Sequence, residues 1–176
     1  YNHSYTMLRL PLTLVGVSLG QLFYNRAIDL FHQGKSMVPL LNKMLVGLCL
    51  FALIPFGILF FFGKPLFAFV FGKEWGLAGT YAETMSIWLM LNFIFSPIAA
   101  IPLILSKQKV YFYMSMFSSF LLVFPFWYFP WKYGKTQEVF HLSLQVVSYA
   151  QAIWLLITII VFYLYAYKAK QSFQNK

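Results

Sequence analysis

The chain has 176 residues, of which 61% are hydrophobic and only 10% charged, and its formal net charge is +9. Soluble domains carry about a quarter charged residues, and no aqueous core of this size could bury so much apolar surface. The basic residues lie at the ends of apolar segments rather than on one patch, which indicates contact with anionic lipid. The composition predicts an integral membrane protein and argues against a nucleic-acid partner.

Five apolar segments follow one another along the chain. A helix rises about 1.5 Å per residue, so about 20 apolar residues cross a hydrocarbon core roughly 30 Å thick. Continuous apolar runs lack the alternation of barrel strands and therefore predict helices. We expect an all-α membrane protein with spans at 6–30, 44–63, 84–106, 110–131 and 140–167. Because the chain begins at Tyr1 and its first segment has no charged leader or cleavage site, we expect a fragment that starts with a mature span.

The first span has a polar stripe. Its polar and small residues recur three or four apart, which places them on one helical face: Thr6, Arg9, Thr13, Gly16, Gly20 and Tyr24. Gln21, Asn25 and His32 widen this stripe, and leucines occupy the opposite face. Either the stripe faces a wet cavity, or the G-x-x-x-G spacing of its glycines marks a close helix contact. Arg9 needs a compensating partner, because a central arginine costs about 2.5–3.5 kcal/mol on insertion scales.

The second and third spans contain prolines. Pro55 and Gly57 predict a bend in the second span, and residues 63–83 are expected to form an interfacial segment anchored by Trp75. In the third span Pro97 and Pro102 remove two backbone donors, which predicts a broken helix, with Asn92 and Ser96 on one face. The carbonyls left unpaired at such a break need hydrogen-bond donors, which come either from a neighbouring helix or from a water-filled cavity. A tight turn at 107–109 follows.

The last two spans have aromatic ends and internal amides. Residues 126–131 and the tyrosines at 163–167 are typical of the aromatic belts at the two membrane surfaces. Gln145 and Gln151 are expected to hydrogen-bond across a helix interface. Five spans place the termini on opposite sides, and a cytoplasmic carboxyl terminus puts eight basic residues inside and five outside.

Catalytic and metal-binding patterns are missing from the sequence. The G-x-S-x-G at 16–20 lies inside an apolar helix, where it has no nucleophile-elbow geometry. His3, His32 and His141 are expected in three separate loops without a carboxylate at metal-ligand spacing, and Cys49 has no partner. We therefore expect neither an enzyme nor a protein with a metal or cofactor.

Three motifs carry a resemblance to a known family. They resemble motifs of bacterial polysaccharide flippases. The motifs are the run from Leu8 to Gly16 with Gly20-Gln21, the loop Val70-Phe71-Gly72-Lys73-Glu74-Trp75 with Ala78-Gly79, and Ser96-Pro97 followed by Lys107-Gln108-Lys109. These flippases belong to the multidrug, oligosaccharidyl-lipid and polysaccharide exporter superfamily. The resemblance covers nearly the whole chain.

The resemblance implies spans eight to twelve of a twelve-helix, two-lobe transporter of the bacterial inner membrane. By that likeness, a polyprenyl-diphosphate carrying a sugar repeat unit enters a central cavity while its tail stays in the bilayer, and the lobes rock to release it outside. Arg9 and Arg26 are the expected phosphate contacts. Gln21, Asn25 and Asn92 are the expected partners of sugar hydroxyls, and Thr13 on the polar stripe joins this substrate site. The coupling ion and the sugar stay open.

Two other classes remain as alternatives. A multidrug or toxin extrusion antiporter would share the fold, but a cationic substrate requires carboxylates where the first span offers arginine. A membrane-bound polysaccharide polymerase or acyltransferase would need a large loop with catalytic residues, and the predicted connections are short.

Overall fold

A computed structural model describes residues 20–174, with side chains described up to residue 171. All regular structure in this range is helical. In chain order the helices are α1 (20–32), α2 (Val38–Phe71), a one-turn 3-10 helix (Lys73–Trp75), α3 (Gly76–Ile98), α4 (Ile101–Ile104), α5 (Gln108–Tyr133) and α6 (Gln137–Gln174). Four helical segments are long and apolar enough to cross a membrane: Val38–Phe71, Lys73–Ile104, Gln108–Tyr133 and Gln137–Gln171. The first predicted span lies mostly outside the described residues.

The long helices pack side by side in the order α2, α3, α6 and α5. Gly72, with a φ of 106° that favours glycine, ends α2 and starts the tight turn into antiparallel α3. The ring of Tyr81 contacts His141, and that of Phe95 contacts Phe162, so α6 runs beside α3 in the same direction. α5 runs antiparallel to α6. The bundle therefore has two ends, the "Gly72 end" with the 72–75 turn and the "Ser106 end" with the 105–107 turn.

Helix α2 bends, but not where the sequence predicted. The non-helical residue is Phe62, with φ −131° and ψ 17°, rather than Pro55 or Gly57, both of which lie within helix. The cause is Pro65, whose ring clashes with the carbonyl four residues earlier, that of Phe61. Residues 63–83, predicted to lie in the membrane interface, are helical on both sides of the 72–75 turn, because α2 continues to Phe71 and α3 begins at Gly76.

The predicted break in the third span is confirmed. α3 ends at Ile98, residues 99–100 form a turn, and Pro102 lies in the first turn of the short α4. A tight connection then leads into α5, with Ser106 at a positive φ of 54° and the Lys107 N–H donating to the Pro102 carbonyl over 2.7 Å. The third span is thus two helical pieces joined by an irregular turn.

The largest apolar core lies at the Ser106 end. It joins α1, α2, the α3–α4 region and α6, and its fully buried members include Phe23, Ala27, Leu41, Ile98, Ile101 and Phe162. Further along α3, Leu91 packs on Ala152 and Leu155 of α6. Much of the outer surface is apolar as well, for example Ile54 and Phe69 of α2, which are 70% and 90% exposed. Such exposure suits contact with lipid chains.

Helix α5 is attached to α6 by a few specific contacts. Pro125 is the buried residue of α5. Ser118 Oγ donates to the Gln151 side-chain oxygen over 2.9 Å, and the Gln151 amide donates to the Ser118 carbonyl over 2.7 Å. The Trp154 indole N–H donates to the Met114 carbonyl over 3.2 Å. The expected bond across a helix interface is therefore confirmed for Gln151.

Gln151→Leu is expected to loosen α5 from α6. Interhelical hydrogen bonds in membrane proteins average about 0.6 kcal/mol, so the loss of two predicts a destabilisation of about 1 kcal/mol. Thermal unfolding of the purified full-length protein in detergent measures this effect. Gln145→Leu is the matched control on the same helix, and an equal loss in both variants would contradict the assigned role of Gln151.

Candidate functional site

An open cleft of ≈ 510 Å³ lies between α1 and the broken end of α3. Its described lining is Gly20, Gln21, Tyr24 and Asn25 from α1, and Ser96, Pro97 and Ala100 from the other side. The cleft therefore brings together two of the residues predicted to bind substrate, Gln21 and Asn25. It places both beside the proline-interrupted turn.

The orientation of α1 follows from its apolar anchors. Phe23 and Ala27, four residues apart, are 1% and 0% exposed and pack in the core at the Ser106 end. Gln21, Tyr24 and Asn25 then lie on the other side of the helix, where they are exposed and line the cleft. The helical spacing that buries Phe23 and Ala27 in the core thus also turns the polar face of α1 toward the cleft.

Gly20 lies where α1 comes close to α3. A Cβ built on Gly20 would lie 3.7 Å from the Pro97 Cα, an ordinary van der Waals distance. The glycine therefore serves as a close helix contact and borders the cleft as well. Its predicted G-x-x-x-G partner, Gly16, lies outside the described residues.

The α3 side of the cleft is the broken helix. Pro97 and Pro102 have no N–H, so the carbonyls of Phe93 and Ile98 lack their usual helical donors. The exposed hydroxyl of Ser96 adds a donor and an acceptor at the same place. The break thus lies across the cleft from the face of α1 that carries Gln21 and Asn25.

Other predicted site residues fall elsewhere. Arg26 is exposed next to Asn25 but is not among the lining residues, and Asn92 is exposed one turn from Ser96 toward the Gly72 end. Arg9 and Thr13 lie outside the described residues. The sequence reading assigned no substrate role to Tyr24, Ser96 or Ala100, although Tyr24 was on the polar stripe and Ser96 was paired with Asn92 by spacing.

The histidines lie in helices rather than loops where the structure describes them. His32 ends α1, and His141 lies in the first turns of α6 against the Tyr81 ring. The loop assignment is wrong for both: α1 continues past its predicted end at residue 30 to His32, and His141 already lay within the predicted span 140–167. His3 is outside the described residues. Over residues 20–174 there is no group of three or more His, Cys, Asp or Glu side chains suited to a metal ion.

The chemistry of the cleft is neutral hydrogen bonding. Its described lining offers two carboxamides, a phenol and an alcohol, which together can both donate and accept. No charged side chain is among these lining residues. Such a surface suits a hydroxyl-rich ligand better than an ion.

The described residues thus define an all-helical protein with four segments long and apolar enough to cross a membrane. Comparison with protein-family models, with curated proteins and with solved structures finds no match.

Proposed function

We propose that this chain is part of a multi-pass protein of the bacterial inner membrane that exports a lipid-linked oligosaccharide for surface polysaccharide biosynthesis. The cargo is a polyprenyl-diphosphate sugar repeat unit, moved by alternating access, and the carboxyl terminus is cytoplasmic. The observation that carries the proposal is the polar cleft at a helix break in a bundle whose outer surface is otherwise largely apolar. The likeness of three sequence motifs to polysaccharide flippases supports the choice of cargo.

The size and chemistry of the cleft fit a sugar. Its ≈ 510 Å³ lies in the range of about 300–1,000 Å³ typical of small-molecule sites. Sugar hydroxyls donate and accept hydrogen bonds without charge, as do the carboxamides of Gln21 and Asn25. Membrane transporters commonly place their binding sites at interrupted helices, and the cleft adjoins one. We therefore assign the sugar to the cleft between α1 and the break in α3.

The diphosphate requires cations. Arg26 follows Asn25 directly and is exposed, so it is available to a phosphate outside the cleft proper. Arg9 is the second proposed phosphate contact, from the predicted polar stripe. The planar guanidinium binds phosphate oxygens in pairs, which gives arginine an advantage over lysine for this role. A cationic drug would instead need carboxylates, and the described lining has amides.

The lipid tail needs an apolar environment beside the cleft. Long stretches of α2 and α5 expose leucine, isoleucine and phenylalanine side chains, so the tail is proposed to stay in the bilayer along this surface. The cleft is open on one side, which fits a cavity completed by further helices of a longer transporter.

Removing an amide from the cleft is expected to lower export. Gln21→Leu and Asn25→Leu should each reduce surface polysaccharide about fivefold, since a neutral hydrogen bond contributes roughly 1 kcal/mol. The measurement is surface polysaccharide in cells whose only copy of the full-length protein is the variant, normalised to the amount of protein in the membrane. Asn42→Leu, the same change at an exposed position in the first turns of α2, is the control. Export equal to that of Asn42→Leu would contradict the proposed role of the cleft.

A further inference from the structure

The bend in α2 is closed by a side chain from another helix. The Lys64 backbone N–H donates to the Glu83 carboxylate of α3 over 2.7 Å. Lys64 follows the non-helical Phe62 and precedes Pro65, so it lies in the first turn of the helical piece beyond the bend. Glu83 therefore acts on this piece as an N-terminal cap does, but from 19 residues further along the chain.

The Lys64 N–H has a second possible acceptor. In an uninterrupted α-helix it would donate to the carbonyl four residues earlier, that of Phe60. Pro65 has no N–H and clashes with the Phe61 carbonyl, which weakens the straight form without abolishing it. One N–H thus has two alternative partners, the Phe60 carbonyl in a straight α2 and the Glu83 carboxylate in a bent one.

The bent form is supported by a close crossing of glycines. A Cβ on Gly63 would lie 2.9 Å from the Gly79 carbonyl oxygen, and one on Gly79 would lie 2.5 Å from the Gly63 oxygen. The two backbones therefore touch beside the Lys64–Glu83 bond. On α3, the hydroxyl of Ser86, which is only 1% exposed, donates to the Glu83 carbonyl over 2.7 Å.

We propose that residues 64–71, the "α2 arm", form a hinged segment with two positions and that Glu83 is the latch that holds the arm against α3. A hydrogen bond to a carboxylate is about twice as strong as one between neutral groups, so the latched position is favoured. Competition from the Phe60 carbonyl gives the arm a discrete alternative, as switching elements require. This device goes beyond the proposed export function, because the arm does not border the cleft.

The latch is tested by measuring the bend of α2. Spin labels are attached at Ile54→Cys and Phe69→Cys, both exposed positions, on a Cys49→Ser background of the full-length protein in lipid nanodiscs. A straight helix would separate these two Cα atoms by about 22 Å, and a bend shortens the distance. Glu83→Ala is expected to raise the population of the longer distance roughly tenfold, as the loss of a hydrogen bond to a charged group predicts.

Further variants make the result decisive. Glu74→Ala removes an exposed carboxylate from the 73–75 turn and should leave the distance distribution unchanged. Pro65→Ala removes the clash with Phe61, so it should favour the longer distance with Glu83 intact, and it tests the hinge. The latch is tested by Glu83→Ala or, if that variant does not fold, by Glu83→Gln, whose neutral amide is a weaker acceptor than the carboxylate. The proposal is overturned if either the folded Glu83 variant or Pro65→Ala keeps the original distribution. No transport is measured, so this outcome is independent of the export proposal.

Discussion

Leucine in place of Gly79 is expected to force α2 away from α3 and to remove most of the folded protein. A Cβ at this position would lie 2.5 Å from the Gly63 carbonyl oxygen and 2.6 Å from the Lys64 Cα. Both are backbone atoms, which cannot move aside as a flexible side chain does. Overpacking of this kind costs about 1–3 kcal/mol and occasionally more, and leucine adds three further carbons to the clash. The fraction of full-length protein that stays monodisperse in detergent measures the effect.

The control for Gly79→Leu is Gly47→Leu on α2. A Cβ on Gly47 would meet nothing within 4 Å, so the added side chain points into open surroundings. Leucine is also a better helix former than glycine, which is about 0.8–1 kcal/mol less favourable than alanine in a helix. We expect Gly47→Leu to match the parent protein or exceed it in stability. Equal behaviour of the two variants would show that the glycine crossing is not a close contact.

Cysteines in the cleft are expected to react with a polar maleimide, whereas a cysteine on the outer face of α2 is not. Asn25, Ser96 and Ile54 are all exposed side chains, and Ile54 is 70% exposed. They differ in their surroundings, because Asn25 and Ser96 are expected to meet water and Ile54 is expected to meet lipid. Maleimide reacts with a thiolate, and thiolates do not form in hydrocarbon. On a Cys49→Ser background, Asn25→Cys and Ser96→Cys should be labelled nearly completely and Ile54→Cys hardly at all.

The labelling experiment has a buried control position, and two outcomes would contradict the assignments made above. Ala52 is fully buried in the bundle, so Ala52→Cys should stay unlabelled until the protein is denatured. Rapid labelling of Ile54→Cys would contradict the assignment of α2 to the membrane. Lack of labelling at both Asn25 and Ser96 would show that the cleft is dry, and the sugar site would then be rejected.

The four later spans could be located from sequence because each contains an uncharged apolar window. The windows at 44–63, 110–131 and 140–167 lie within helical segments of the structure, and the window at 84–106 overlaps the segment Lys73–Ile104 except at its last two residues. The helices extend further than the windows because hydropathy registers only the part suited to lipid. Residues such as Lys43 and Lys64 end an apolar run without ending a helix.

The position of the bend in α2 could not be read from sequence. Pro55 and Pro65 are equivalent as local signals, yet only the second has a non-helical residue before it. The Lys64 N–H at this bend is satisfied by Glu83, which reaches it from the next helix. Which of the two prolines bends the helix thus depends also on a partner far along the chain, which a local proline rule does not include.

One side of the cleft, the face of α1, could be predicted from the sequence, and the α3 side could not. The three- and four-residue spacing of the first span identified the face that carries Gln21 and Asn25. The opposite wall depended on which helix packs there, and the close approach of Gly20 to Pro97 places the break in α3 at that point. Asn92 shares a face with Ser96 but lies about 6 Å further along the helix axis, beyond the lining.

The position of α5, packed on α6 at one edge of the bundle, has a consequence for how the protein is made. It packs on α6 from the Phe126–Phe140 ring contact to the Tyr111–Phe162 ring contact, and Pro125 is its one buried residue, whereas α2, α3 and α6 share buried apolar clusters. Helices that insert separately assemble afterwards in the order of their contact strength. We therefore expect α2, α3 and α6 to associate first during biogenesis and α5 to dock last, so that its amide hydrogens exchange with solvent deuterium before those of the other three.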